Sequence, residues 1–274
     1  MGHVIVPEAE ELLDRTIEVL DHGFVRLVDY MGGDRRIVQA ARVSYGDGTK
    51  SVRQDKGLIN YLMKHGHTSP FEQVILTFHA KMPIFVARQW VRHRTARLNE
   101  ISGRYSVMEE EFFLPAQNTV RRQSESNRQA RADEEVPADL QVEVLEILKK
   151  DQAAVYESYR ELIDADVARE LARINLPLSL YTQWYWQIDL HNLFHFIKLR
   201  MSPHAQYEIR AYAEAMATIT QAVAPLSFEA FENQVLHGVR LSRAELRAVR
   251  AMISGEQVKL KEKPLAELRK KLGL

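Results

Sequence analysis

Apolar residues recur along most of this chain at the three-and-four spacing of helices, and a few shorter runs have the composition of strands. Residues 17–20 and 24–30 are two such runs around Asp21-His22-Gly23, where glycine suits a hairpin turn. Gly32-Gly33-Asp34 then breaks the chain, and Asp34 is placed to cap a helix that runs to Ser44. After a loop at 44–48, residues 51–64 form a second helix with Leu58, Ile59, Leu62 and Met63 on one stripe, and Gly66 follows as a left-handed cap. Residues 74–82 read as a strand, and Pro83 opens a helix that reaches Arg92. Helices are expected at 138–165, 167–174, 191–200 and 204–223, with a strand at 178–190 and a further turn or two at 228–236. Ser242-Arg-Ala-Glu245 is a capping box for a helix to Met252. Residues 1–15 are an acidic extension, 116–138 a polar inserted loop, and 238–274 a C-terminal extension that turns basic after Gly255. Helix clearly exceeds strand.

Composition narrows the chemistry. The 274 residues suffice for one large domain or two small ones and bury a core without staples. There is no cysteine, which excludes disulfides, thiolate metal sites and a cysteine nucleophile, and suits a cytoplasmic setting. No basic leader precedes an apolar run at the N-terminus, and no apolar run is long enough to span a membrane, so neither export nor a membrane partner is expected. Lys and Arg number 37 against 37 Asp and Glu, which argues against a general nucleic-acid binder.

Against that balance, Arg88, Arg92, Arg94, Arg97 and Arg104 lie within one stretch whose only acid is Glu100. Arginine captures phosphate or carboxylate with two parallel donors, so the stretch reads as an anion site, against the plainer reading of a solvated basic face. On a helix Gln89, Arg92 and His93 share a side. A second polar set lies elsewhere: His65, His67, Ser69, Glu72, Arg173, Asp189, His191, His195 and Arg200. Beyond His65 and His67 the histidines lack tight ligand spacing, and no carboxylate cluster accompanies them, so no metal is expected.

Arg92-His93-Arg94 followed by seven residues and Ser102 resembles the signature of the flavin-dependent thymidylate synthases. The likeness extends through Tyr61-Leu-Met-Lys-His-Gly-His67, Pro70-Phe-Glu72, Pro83-Ile-Phe-Val-Ala-Arg-Gln-Trp90, Asn99-Glu-Ile-Ser-Gly-Arg-Tyr-Ser106, Leu176-Pro-Leu, Leu180-Tyr-Thr182 and Leu199-Arg200 with His204-Ala-Gln206, in family order, over roughly residues 21–236. The resemblance implies an α+β fold: a helix-rich single catalytic domain, 1–274, with a small, mostly antiparallel sheet. It implies conversion of dUMP to dTMP, with 5,10-methylenetetrahydrofolate as carbon donor and NADPH as reductant of a tightly bound FAD. It also implies a homotetramer whose active sites are shared between subunits. The missing cysteine agrees, because the unrelated thymidylate synthase attacks uracil with one.

Residue by residue, the resemblance makes Arg200 the catalytic group, beside the uracil edge, where the plainer alternative is a structural ion pair. Gln89, Trp90, Val91, Arg92, Glu100, Ile101, Ser102, Gly103, Arg104, Arg173 and Arg200 would hold dUMP. Ser102 is expected to bind rather than attack, since no partner base is evident. Ser44, His67, Ser69, Glu72, Arg92, His93, Arg94, Thr95, Glu100, Asp189, Leu190, His191 and His195 would contact FAD, with a helix-end cap as the alternative for His67. Asp189-Leu-His191 departs from relatives that carry Asn and Arg there. Arg88 and Arg97 have no assigned ligand and are expected to be structural.

Overall fold

A computed structural model describes residues 4–43, 52–125 and 130–274 of the chain. In chain order the elements are α1 (Pro7–Glu10), β1 (Thr16–Val19), β2 (Gly23–Met31), α2 (Asp34–Ala41), α3 (Val52–Lys64), β3 (Ile75–Pro83), α4 (Ile84–Trp90), β4 (Arg97–Glu100), β5 (Arg121–Gln123), β6 (Arg131–Glu135), α5 (Ala138–Asp164), α6 (Arg169–Ala172), β7 (Tyr181–Asp189), α7 (Leu190–Arg200), α8 (Tyr207–Val223), α9 (Pro225–Phe231), α10 (Arg243–Ser254) and α11 (Glu262–Leu272). The α+β expectation holds. Five strands form one sheet in the order β1-β2-β3-β7-β4, every neighbouring pair antiparallel. Hairpin β1–β2 turns where Gly23 predicts. No helix among the described residues is long and apolar enough to cross a membrane.

The central strands alternate buried and part-exposed positions, as a sheet with one face on the core must. Leu76, Phe78, Ala80 and Met82 of β3 and Trp184, Trp186 and Ile188 of β7 point into the main core. There they meet α4, α7 and α8 through an aromatic nest. Trp90 lies edge-on to Trp184 and Trp186 at centroid distances of 5.4 and 5.5 Å, and beside Phe196 at 5.0 Å and Tyr212 at 5.8 Å. Aromatic rings of this kind bury roughly 150–250 Å² each, so the nest fixes the ends of α4 and α7 rigidly against each other. A smaller cluster under α5 gathers Met108, Phe112, Tyr156, Tyr159, Ala172 and Leu180.

Three local outcomes depart from the sequence pattern. Asp34 does not cap its own helix. Its carboxylate accepts from the backbone N–H of Leu226 and Ser227 at 2.8 and 3.0 Å, and from the Ser227 hydroxyl at 2.6 Å, so it caps α9 from 192 residues away. Arg97–Glu100, inside the arginine stretch, is a strand paired to β7. The inserted loop contains the hairpin β5–β6. The start of α3 at Ser51 and the loop at 44–48 lie outside the described residues. In the C-terminal extension, the capping box at Ser242 forms as expected, and Lys271 of α11 pairs with Glu245 of α10 at 2.7 Å.

Candidate active site

The site is built around the last turn of α7. Asp189 starts that helix: its carboxylate accepts from the Asn192 N–H at 3.0 Å and from the Asn192 side-chain amide at 2.7 Å. Leu193, Phe194, Phe196 and Ile197 are buried, which delivers Arg200 to the opposite end. Arg200 donates through Nε to His93 Nε2 at 3.0 Å and through Nη2 to the Gln89 carbonyl at 2.9 Å. That carbonyl belongs to the unsatisfied C-terminal turn of α4, where a cation is favoured. Burial lowers the His93 pKa to about 4, helped by the Arg200 charge and then by His195. His93 is therefore neutral at pH 7. Because its Nε2 accepts from an arginine, its proton sits on Nδ1. Burial, and then the charge of Arg92, also lowers the Arg200 pKa, yet an arginine stays protonated at neutral pH.

Two cavities flank this group. One, of about 250 Å³, is lined by Arg92, His93, Arg94, Thr95, Ile188, Asn192, His195, Leu199 and Arg200. The other, of about 240 Å³, has apolar walls from Leu62, Met63, Phe71, Phe194, Phe231 and Val235, with His67, Thr68, His191, His195 and Lys198 among its polar lining. His195 lines both. His67 reaches the second cavity because Gly66 ends α3 at φ +68°, and the His67 N–H closes the cap on the Leu62 carbonyl at 2.9 Å. The cap is thus made by the backbone, and the exposed ring is left for the cavity. Ser69 and Glu72 are exposed on the turn that follows.

Burial limits two of the expected contacts to the backbone. Trp90 and Leu190 are wholly buried, so their side chains belong to the core and only their backbone atoms could meet a ligand. Asp189 spends its carboxylate on the helix cap. Ser44 lies outside the described residues. Val91 is exposed beside Arg92.

A second group lies along β4 and the loop after it. All four residues of β4 are exposed at the sheet edge. Thr182 donates to the Glu100 carboxylate at 2.6 Å, and the Ile101 N–H bonds the Gln183 carbonyl at 3.0 Å. Arg97 donates to Gln187 across the strands at 3.3 Å, a structural contact. The Ser102 hydroxyl accepts from the Arg104 N–H at 3.3 Å, and among the described residues no base hydrogen-bonds it. Gly103 is buried under Arg173: a Cβ there would meet Arg173 Cδ at 3.1 Å and Met108 Sδ at 3.0 Å. This close approach brings Arg173 onto the loop, and Arg104 pairs with Glu170 at 3.1 Å. Among the described residues, no hydrogen bond or ion pair joins this group to the one around Arg200.

Several polar neighbours were passed over by sequence reasoning. Asn192 and Lys198 line the cavities, Thr182 holds Glu100, and Gln206 accepts from Gln89 Nε2 at 2.6 Å. Gln206 could have been found from His204-Ala-Gln206, which stands out in the sequence. Asn192 and Lys198 share α7 with His191, His195 and Arg200 and carry no signal beyond their polarity.

A family model described as "Thymidylate synthase complementing protein" matches residues 26–226. A Treponema denticola protein described as "Flavin-dependent thymidylate synthase" is 59% identical over 260 residues, 95% of this chain and 98% of its own length. A Thermus thermophilus protein of the same description is 57% identical over 253 residues, 92% and 90% of the two chains. Among solved structures, the UMP/dUMP methylase PolB from Streptomyces cacaoi bound with 5-Br dUMP is similar at a TM-score of 0.72 and 33% identity, covering 79% of this chain and 97% of that one.

Proposed function

The chain belongs to the flavin-dependent thymidylate synthase family, and on that basis we propose that it converts dUMP to dTMP with 5,10-methylenetetrahydrofolate, NADPH and bound FAD. The carbon arrives at the oxidation level of formaldehyde and leaves as a methyl group, so two electrons must be added. The balance is dUMP, methylenetetrahydrofolate, NADPH and a proton going to dTMP, tetrahydrofolate and NADP⁺. Bound FAD would carry those electrons between NADPH and the pyrimidine, which no side chain can do. The chain has no cysteine to add to the ring.

One observation carries the reading. Among the described residues, no carboxylate pairs with Arg92, Arg94 or Arg200, although all three line one cavity. A group of uncompensated guanidiniums in a cleft is a site for an anion. Arg200 is held rigid by neutral His93 and by the Gln89 carbonyl, so its charge is fixed in place without reorganisation. Beside the uracil N3 and its carbonyl, that charge favours the ionised, electron-rich ring whose C5 accepts the carbon. Gln89, Arg92, Glu100, Ile101, Ser102, Gly103, Arg104 and Arg173 would hold dUMP, with Val91 at the margin.

The donor set also fits a flavin dinucleotide, which needs cationic donors for its diphosphate and an apolar wall for its rings. Arg92 and Arg94 offer the cations, with His93, Thr95 and His195 as polar neighbours; the cavity behind His67, His191 and His195 offers the apolar wall. Ser69 and Glu72 are exposed next in the chain to Thr68 and Phe71 of that cavity, and Glu100 is exposed on β4; all three would add polar contacts to the flavin. The exposure of β4, and the absence among the described residues of any hydrogen bond or ion pair between the Arg200 and Arg173 groups, support a homotetramer in which each site takes one group from each of two subunits. We place this single catalytic unit in the cytoplasm, a setting that suits its lack of cysteine.

Purified protein tests the reading. It should be yellow, release FAD on denaturation, and form dTMP only when dUMP, methylenetetrahydrofolate and NADPH are all supplied. Colourless protein that refuses added FAD would overturn it.

A further inference from the structure

Glu208 is a carboxylate in the first turn of α8, only 1% exposed, outside the proposed substrate wall. One of its oxygens is paired with Arg131 of the inserted hairpin; the other accepts from Gln206 Nε2 at 2.8 Å. The carbonyl end of Gln206 then accepts from Gln89 Nε2 at 2.6 Å. This order follows from the chemistry of the ends. An ionised carboxylate only accepts, so Gln206 must turn its NH₂ toward Glu208. Its oxygen therefore faces Gln89, which must in turn present its own NH₂. Among the described residues, nothing donates to Gln89 Oε1. We infer that Glu208, acting through Gln206, fixes the amide of Gln89 so that its Oε1 accepts a hydrogen bond from a donor on the nucleotide.

The inference rests on the reading of Gln89 as part of the dUMP wall, and it narrows that reading. Without the acid, an amide at either position could flip with little penalty, and Gln89 would offer a donor as readily as an acceptor. On dUMP the available donors are the sugar 3′-hydroxyl and, while the ring is still neutral, the N3–H. Glu208 and Gln206 are positioning residues, since they act only through Gln89. The insert gains a role through Arg131, which covers and neutralises a carboxylate that would be costly to bury unpaired.

Equilibrium binding to FAD-loaded protein tests this with dUMP, its 3′-deoxy analogue and its N3-methyl analogue. Wild type should bind one analogue about tenfold more weakly than dUMP, the worth of one hydrogen bond. In Glu208→Gln and Gln206→Met that penalty should fall below about threefold, and dUMP itself should bind several-fold more weakly. Gln206 is exposed, so its replacement leaves folding intact even where Glu208→Gln does not. Arg122→Ala, which among the described residues breaks the exposed pair with Glu134 on the same hairpin, should bind all three ligands as wild type does. Wild-type discrimination retained in both the Glu208 and the Gln206 variant would overturn the inference, as would wild type binding both analogues as well as dUMP. Wild type that binds no dUMP at all would instead remove the reading of the site on which the inference stands.

Discussion

Truncating Arg200 to alanine removes two hydrogen bonds and one fixed charge. The bonds run to His93 Nε2 at 3.0 Å and to the Gln89 carbonyl at 2.9 Å, so both acceptors lose their partner. The charge matters more. A guanidinium about 4 Å from a developing anion, at an effective dielectric near 20, is worth about 4 kcal/mol, or close to a thousandfold in rate. Removal of one fixed donor to a developing oxyanion typically costs about 10²–10³-fold, in the same range. Arg200→Ala should therefore lose about 10²–10³-fold in the single-turnover rate of dTMP formation while still binding FAD. Arg200→Lys restores charge without the two-pronged geometry and should recover only part of that. The same alanine variant should move His93. Its pKa of about 4 owes its largest part to burial and the next to Arg200, so the value should rise yet stay below 6.5, as read by NMR titration of the ring. A turnover rate within tenfold of wild type, or an unmoved His93, would show that the Arg200 charge does not act on the ring as described.

Other perturbations follow from the same geometry. Asp34→Ala strands two backbone N–H groups and the fully buried Ser227 hydroxyl, and should cost about 3–5 kcal/mol in urea unfolding at pH 7. Gly103→Ala should push Arg173 away from the loop and weaken dUMP binding about fivefold, roughly 1 kcal/mol, with the melting temperature nearly unchanged. His93 binds its proton more weakly folded than unfolded. Its contribution to stability is therefore fully present above pH 6.5 and lost as pH falls toward 4; His93→Asn should flatten the stability profile across that window. If sites are shared between subunits as proposed, mixing Arg200→Ala with Arg173→Ala subunits should restore dTMP formation, because some sites would then draw both intact groups; mixtures as inactive as either variant would count against shared sites.

The order of the main helices and four of the five strands of the sheet can be read from periodicity and punctuation, and the hairpin at Gly23, the cap at Gly66 and the box at Ser242 form where their residue chemistry puts them. Long-range choices could not. Asp34 stands before a helix and has the chemistry to cap it, yet it serves α9, because tertiary packing brings that helix start within its reach. The strand at Arg97–Glu100 carries no apolar alternation, since it lies at the sheet edge with every residue exposed; the ladder to β7 makes it a strand. In the site, the arginine stretch reads as an anion site from its composition, and the structure lines one cavity with its Arg92 and Arg94 together with Arg200, which composition alone does not join to them. Trp90 stands in a block that matches the family and Leu190 beside the departing Asp189 and His191, yet the side chains of both fill the core. Gln206 and Glu208 were invisible as partners of Gln89, because nothing local marks a bond across 117 residues.

If this cysteine-free chain makes dTMP by means of a flavin, its activity must come and go with that flavin. The protein is stripped of flavin, and dTMP formed from dUMP, methylenetetrahydrofolate and NADPH is measured with and without added FAD. The stripped protein should form no dTMP, and adding FAD should restore it in full. Equal dTMP without flavin, or none with it, would rule out the flavin route.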